Sequence, residues 1–522
     1  MTDLIVVGSG FGGSLIAMIA RKLGFTVLLL EKSTHPRFVI GESTTPLTNL
    51  YLEQIADRYQ LTQLRSLSKW GTWQKDHPGI PVGLKRGFSF FHHEMGKLFI
   101  DDPDHSHQLL VAASPHDGIG DTHWYRPAFD EQLVKWAVDA GVDYYDQSRI
   151  TGLQFLSDKV VLSYDRKGNT YDIEAKFLID ATGPNGFLFN ELKLKEGRFP
   201  HLPDRETLYT HFEGVKPFPI NPHQSGQELP YPVNNAAVHH LFDGGWIWVL
   251  QFNNGITSAG VSLRRDKAEA FKLSEGRPAW QRLLEQLPGV RDQFLDAKPI
   301  IPFIYQPQMS YRCDQIVGDR WAMLPAASGF VDPMMSTGFP LNLRGIMRLA
   351  KMLESHPDLD NLESALFAYA KTTRKEQNLG SLMIGALWAS FNDFELFSAL
   401  SLIYFTSASY SESAIRLNKP ELAPSFLLND HAKFGPRARK CYEKALNLHS
   451  KEERNDLIRE IYETIEPFDI AGLTDRSRKN WYPVRAGDML RNADKLNTTG
   501  EHIGKILQKS SFLKKPYQVS NK

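Results

Sequence analysis

Residues 4 to 31 run from an apolar stretch, Leu4-Ile5-Val6-Val7, through Gly8-Ser9-Gly10-Phe11-Gly12-Gly13 into a helical segment, then through a second apolar run ending at Glu31. Strand, glycine turn, helix, strand and acid is the order that a dinucleotide-binding βαβ unit requires. Gly8 permits the tight turn, Gly10 lets backbone N–H groups approach a pyrophosphate, and Gly13 allows the helix to pack closely on the strand. Phe11 and Gly12 complete the turn, and the positive end of the helix faces the phosphates. Glu31, with Lys32 beside it, is placed to accept a ribose hydroxyl. A chain that opens this way is expected to hold a nucleotide cofactor in an α/β fold.

The remainder is long enough for two or three lobes: 522 residues, 42% of them hydrophobic. Sixty basic residues balance sixty acidic ones, so no global field favours nucleic acid or a membrane surface. Two cysteines, Cys313 and Cys441, argue against a disulfide framework and for a reducing compartment. With no room for a signal peptide before the first strand, and with the apolar run from Leu396 to Ala408 too short to span a bilayer, the expectation is a cytoplasmic enzyme without stable membrane association.

Residues 70–125 are rich in glycine, proline, histidine and aromatics, and read as strands and loops lining a pocket. A helix is expected from Arg126 to Ala140, closed by Gly141, followed by strands at 150–164 and 171–177 around the turn Arg166-Lys167-Gly168-Asn169. Residues 205–265 read as an antiparallel sheet, with Trp246-Ile247-Trp248-Val249-Leu250 the plainest strand. A helix is expected over Phe339 to Glu354, and helices throughout after Asn361, with the polar, basic tail from Lys509 to Lys522 fraying. The resulting plan is a discontinuous cofactor domain (1–200 and 300–355), an inserted β-sheet on the substrate side (201–299) and a C-terminal helical region (356–522).

Several segments select the cofactor. Arg126 opens the central helix, Asp180-Ala181-Thr182-Gly183 closes a buried strand, and Gly318-Asp319 precedes Gly329-Phe330-Val331-Asp332. Together these resemble the FAD-dependent oxidoreductases of the glutathione-reductase-like superfamily, aromatic hydroxylases included. The resemblance implies a Rossmann-type FAD domain in which Arg126, Asp180, Ala181, Gly183 and Gly338 border the flavin. Gly318-Asp319 departs from the family pattern, so the acidic role on the ribityl chain passes to Asp332. No second GxGxxG occurs, so no separate NAD(P)H domain is expected, and the electrons are expected either as FADH2 from a partner flavin reductase or from nicotinamide that docks transiently.

Within that superfamily, residues 1–355 are most similar to the flavin-dependent halogenases of the phenol and pyrrole type. The glycine fingerprint is followed by Gly41-Glu42-Ser43, whose Glu42 and Ser43 the resemblance places at the cofactor. Lys85, in Leu84-Lys85-Arg86-Gly87-Phe88, matches the catalytic lysine. Asp332-Pro333-Met334-Met335-Ser336-Thr337-Gly338 matches the segment whose Ser336, Thr337 and Gly338 border a chloride or bromide ion. Trp246 and Trp248 resemble the signature tryptophans that separate substrate from flavin, except that Leu250-Gln251 replace the usual Ile-Pro, a change that could relax the strand.

The resemblance implies that reduced flavin and O2 oxidise halide to hypohalous acid, which travels to Lys85. A desolvated lysine suits that task, because burial frees its amine. The acceptor is then an electron-rich aromatic or pyrrole-like small molecule, either free or tethered to a carrier protein. Oxygen transfer by a monooxygenase of the same fold is the alternative, ahead of prenyl or alkene reduction. No carboxylate can be named as base from the sequence. Asp101, Asp102, Asp104, His105 and His107 form a polar run read as a solvated loop and not as a metal site, and His92 and His93 are candidates to face the substrate.

Overall fold

The computed structural model describes residues 2–184, 186–220, 227–509 and 511–513. Apart from Lys509 and Ser511 to Leu513, the tail read as fraying lies outside the described residues.

The first sheet has eight strands, five of them parallel and side by side in the order Trp321–Met323, Asn169–Asp180, Thr2–Val7, Val27–Leu30 and Asp143–Tyr145. Leu4, Ile5 and Val6 are fully buried, as a strand covered on both faces demands. Helices Phe11–Lys22, Arg126–Asp139 and Gly338–Ser355 contribute Leu15, Phe129 and Leu343 to the same core. The carboxyl ends of these strands lead into Gly8, Glu31, Ala181 and Leu324, so the glycine turn and the acid meet in the crevice where open α/β sheets take their ligands. The hairpin Val160–Arg166 and Asn169–Asp180 turns at Lys167 and Gly168, both at positive φ.

A nine-stranded sheet stands beside this domain. Strands Arg205–Glu213, Ala237–Phe242, Gly245–Gln251 and Ile256–Arg264 supply its antiparallel centre. It is not confined to 201–299: Gly87–His92 and Gln108–Ala112 extend it, and Trp481–Tyr482 adds a parallel edge. That C-terminal strand was invisible in the sequence, because two residues carry no periodicity. Side-chain alternation splits the sheet between two cores. Trp246, Trp248 and Leu250 pack toward the cofactor domain and helical lobe, whereas Ile247 and Val249 face Trp280 and Phe294 on the other side.

The helical lobe is led by Glu363–Ala389, Phe394–Arg416 and Lys451–Ile465. The apolar run from Leu396 lies inside the second of these and is buried against the sheet, with Phe397 and Phe405 on Phe90. Among the described residues no helix is long and apolar enough to cross a membrane. Both cysteines are buried thiols.

Candidate active site

The glycine turn is built as the sequence reading required, with one glycine doing something more specific than expected. Gly8 sits at φ +97°, and a Cβ on Gly13 would lie 1.8 Å from the Gly8 carbonyl oxygen, so helix and turn touch backbone to backbone. Gly10 differs: a Cβ there would meet nothing nearer than the Arg37 guanidinium at 3.7 Å and that of Arg126 at 3.8 Å. Gly183 faces open space, and Gly41 meets only Arg126. The turn therefore borders a space left open by glycines and flanked by the Arg37 and Arg126 guanidiniums, which are paired with the Glu31 and Asp130 carboxylates.

Arg126 is fixed there by a bidentate pair with the buried Asp130, and donates from Nη1 to the Gly41 carbonyl at 2.8 Å. Glu31 accepts from the Ser9 amide (3.0 Å) and from Arg37 (3.2 Å). Burial alone would raise its pKa, but Arg37 and the Ser9 and Ser33 hydrogen bonds hold the carboxyl below its usual value. Lys32 is exposed at the strand end. Phe11 and Gly12 are buried in the first helical turn, with Phe11 edge-on to Trp124 and Phe339.

Two acids do something other than what the sequence reading assigned. Asp332 is spent on Arg205 in an ion pair whose side chains are both 0% exposed, and it also accepts from the Met334 amide at 2.8 Å. That carboxylate fastens the loop to the inserted sheet, with both oxygens hydrogen-bonded inside the protein. Asp180 likewise accepts from Thr182 and from the Leu188 amide, bracing the Ala181-to-Gly183 turn from behind. Asp319 lies exposed in the hairpin before Trp321. Glu42 and Asp121 are buried acids that each keep one oxygen unpartnered among the described residues. In Glu42, Oε1 meets His211 Nε2 at 2.7 Å, while Oε2 has no partner among the described residues.

Lys85 is wholly buried. It ends the Val82–Lys85 strand, and the next strand starts at Gly87, where a Cβ would strike the Val111 carbonyl at 2.1 Å. This change of sheet turns the lysine inward. Its Nζ donates to Ser43 Oγ (2.8 Å) and to the Thr44 carbonyl (2.6 Å), and sits 3.8 Å from the centre of the Phe88 ring. Ser336 Oγ is 3.4 Å away. The lysine is thus beside the Ser336-Thr337-Gly338 loop and not at the far end of a long passage from it. Burial brings its pKa down to about 7, against the opposing pull of Asp121.

The loop itself leads into a helix N-terminus. Ser336 adopts φ +51°, and Thr337 is helical with no side-chain cap bond, so the Thr337 hydroxyl is not spent as a helix cap. Gly338 begins an 18-residue helix, whose first N–H groups lack intrahelical acceptors.

Residues 3–301 match the model of the FAD dependent oxidoreductase family. The chain belongs to that family. Its sequence relatives are halogenases: it is 29% identical over 411 residues to monodechloroaminopyrrolnitrin halogenase PrnC of Pseudomonas fluorescens, covering 77% of this chain and 70% of the relative. It is 28% identical over 425 residues to tetracycline 7-halogenase of Kitasatospora aureofaciens, covering 78% and 73% respectively. In fold it resembles halogenase PltM, solved with phloroglucinol and FAD, at a TM-score of 0.79 and 22% identity over 92% of this chain and 99% of that one. The motif resemblance to flavin-dependent halogenases is therefore matched by both sequence and fold.

The tryptophan pair of this halogenase-like site is packed firmly. Trp246 and Trp248 share one face, with ring centroids 5.6 Å apart, and both are buried. Gly260 makes room for Trp248, since a Cβ there would lie 2.3 Å from the indole. The Leu250-Gln251 substitution does not loosen the strand. Gln251 pairs with Thr257, and Asn253 exchanges hydrogen bonds with Val82 on the lysine-bearing strand.

The early histidines divide between structural tasks. His93 is buried in the second core against His240 (3.0 Å), away from Lys85, and His105 stacks on Trp481 with ring centroids 3.7 Å apart. His92 pairs with His107 and lines a cleft of about 1410 Å3 with Asp393 and Arg454, a cleft that contains none of the lysine cluster. Asp102 accepts the amides of Asp104 and Ser106, closing its own loop. Among the described residues no group of three or more His, Cys, Asp or Glu is placed to hold a metal.

The residues that sequence reasoning missed are Arg37, six residues from its partner Glu31, and Asp121, Asn49, His211 and Arg205, which meet their partners across at least 72 residues of sequence, where no local pattern marks them.

Proposed function

We propose that this protein is a two-component flavin-dependent halogenase that chlorinates or brominates an electron-rich aromatic or pyrrole-like ring. The observation that carries the reading is the wholly buried Lys85 ammonium, hydrogen-bonded to Ser43 and 3.4 Å from Ser336 of the halide loop. FAD fits the residues present: the open space at Gly10, the guanidiniums of Arg37 and Arg126, and Glu31 at the ribose position. When bound as FADH2, the cofactor supplies the oxidation of halide by O2 to hypohalous acid.

The chain's own residues do the rest. Backbone N–H groups around Thr337 and Gly338 hold the halide. Ser43, Thr44 and Phe88 fix Lys85 so that its N–H groups orient hypohalous acid, and Trp246 and Trp248 form the wall that keeps the ring to be halogenated off the flavin. A lysine whose pKa is near neutrality can both donate a proton to the oxygen of hypohalous acid and be reprotonated between turnovers. The single glycine fingerprint supports delivery of reduced flavin by a separate reductase.

The test is direct. Purified protein is supplied with FADH2, O2 and chloride or bromide, and a panel containing phloroglucinol, a phenol, a free pyrrole and a carrier-tethered pyrrole is analysed by mass spectrometry. Halogenated product that disappears in Lys85→Ala, with FAD binding retained, is the expected result. Oxygen insertion that ignores halide would replace the halogenase reading with that of a monooxygenase.

A further inference from the structure

Beside Lys85 lies a second buried ionisable group that the reading above leaves without a task. Asp121 begins the strand Asp121–Trp124, which pairs antiparallel with Val82–Lys85 in a two-stranded sheet of its own. Asp121 is the residue directly opposite Lys85, so both side chains leave the same face. Asp121 is 3% exposed. Its Oδ1 accepts from Asn49 Nδ2 at 2.6 Å, and its Oδ2 is buried without a partner among the described residues. Lys85 gives its short hydrogen bonds to Ser43 and Thr44, so it does not quench that oxygen.

An unpaired carboxylate oxygen in such a place is costly, on the order of a few kcal/mol, and a stable fold retains it only for a reason. Groups on every surrounding element bear on it. His123 lies two residues along on the same face, with Nε2 engaged by the Ala236 carbonyl. Tyr404, Glu412 and Arg416 approach from the Phe394–Arg416 helix, and Lys69 from the chain before Trp70. Phe88 stacks under the lysine and meets Tyr404 edge-on. Lysine, aromatic floor and carboxylate are therefore neighbours, the lysine against Phe88 and directly across the strand pair from Asp121.

We propose that Asp121 is the base that takes the proton displaced from the substrate ring, acting with Lys85 as a proton-exchanging pair. This rests on the halogenase reading. The ring carbon forms its bond to the halogen of hypohalous acid as the oxygen–halogen bond breaks. The departing hydroxide takes a proton from the Lys85 ammonium and leaves as water. The cationic ring intermediate gives up its proton to Asp121 Oδ2, and that proton then passes from the carboxylic acid to the Lys85 amine. One ring C–H and one hypohalous acid become one carbon–halogen bond and one water, and both residues return to their starting charge. Burial supports the exchange from both sides, because it lowers the lysine and raises the aspartate and so brings their proton affinities toward each other.

The experiment uses the full chain with FADH2, O2 and bromide, a β-diketone trap for hypohalous acid, and phenol either protiated or deuterated on the ring. Asp121→Asn keeps the shape and removes the base. The expected result is hypohalous acid still captured by the trap, ring bromination lower by about 100-fold or more, and a primary deuterium isotope effect that the wild type lacks. Unchanged bromination, absence of that isotope effect, or equal loss of hypohalous acid and brominated ring overturns the proposal. Should Asp121→Asn not hold FAD, Asn49→Leu serves instead. It removes a hydrogen bond to the carboxylate, so the acid limb of the bromination profile must move to higher pH, and an unmoved limb overturns the proposal. A wild-type protein that yields no hypohalous acid and no halogenated ring sinks the halogenase reading itself, which is a separate outcome.

Discussion

Asp332 and Arg205 close on each other with neither side chain exposed, joining the loop that precedes the Gly338–Ser355 helix to the first long strand of the inserted sheet. Arg205 Nη2 also donates to the Val331 carbonyl at 2.9 Å, and Trp388 Nε1 reaches Asp332 at 3.4 Å. Three parts of the molecule therefore meet at one charge pair, five residues before Thr337.

Breaking that pair from one side leaves a buried charge uncompensated. Asp332→Asn or Arg205→Met is expected to cost about 3–5 kcal/mol, read by chemical denaturation. The double variant Arg205→Met with Asp332→Leu should recover most of that stability, because the partnerless charge is gone. Halogenation should remain low in the double variant, since the loop has lost its anchor. Equal stability in the single and double variants would show that the pair is not the source of the cost.

The glycine turn offers a contrast between two substitutions of the same size. Gly13→Ala forces a Cβ to within 1.8 Å of the Gly8 carbonyl oxygen, so helix and turn must part, at a cost of about 3 kcal/mol. Gly10→Ala meets no atom within 3.7 Å, so the apo fold should melt normally. The added methyl instead occupies the open space, and FAD affinity should fall on the order of tenfold, or about 1.4 kcal/mol. Thermal melts and flavin titration of the two variants separate packing from ligand approach.

Legibility in the sequence followed the range of the interaction. The βαβ unit could be read because glycine spacing is a backbone necessity, visible within six residues. Lys85 and the Asp332-to-Gly338 loop could be read because their motifs are contiguous. What could not be read were partnerships made by tertiary register, such as Asp121 with Lys85 and Glu42 with His211. Asp332 shows the same limit from the other side. Its motif was recognised, but its burial against Arg205, 127 residues away in sequence, decides what its carboxylate can do.

Lys85 also gives stability a pH dependence with a definite sign. Its folded pKa is depressed from 10.5 to about 7 by burial, so folding disfavours the charged form. Below pH 7 both folded and unfolded chains carry the proton, and the cost of burying the charge is fully present. Between pH 7 and 10.5 the unfolded chain binds a proton that the folded chain has released, so this cost shrinks as pH rises. Lys85→Met removes the cost of burying the ammonium, and it also takes the counter-charge from Asp121, whose own cost then rises with pH. Its gain in stability over wild type should be larger at pH 6 than at pH 9, in denaturant titrations run at both. A gain that grows with pH would contradict the burial argument.

Trp246 supplies the final prediction. Its indole is 1% exposed, and its Nε1 has no hydrogen-bond partner among the described residues, whereas Trp248 donates to Ser258 Oγ at 3.3 Å. A buried donor without an acceptor costs about 1–3 kcal/mol, and a tryptophan kept in that condition is poised to donate to a bound molecule. Trp246→Phe keeps the ring and removes the donor. Without ligand it should be at least as stable as wild type, by up to about 1 kcal/mol, because the orphan N–H is gone. With ligand the sign should reverse, through a raised Kd for FAD or a raised KM for the aromatic ring. If apo stability rises while both constants stay fixed, the N–H is a packing cost and nothing more. If either constant worsens, the indole is a ligand contact as well as a wall, and the ligand whose constant moves names the side of the wall it serves.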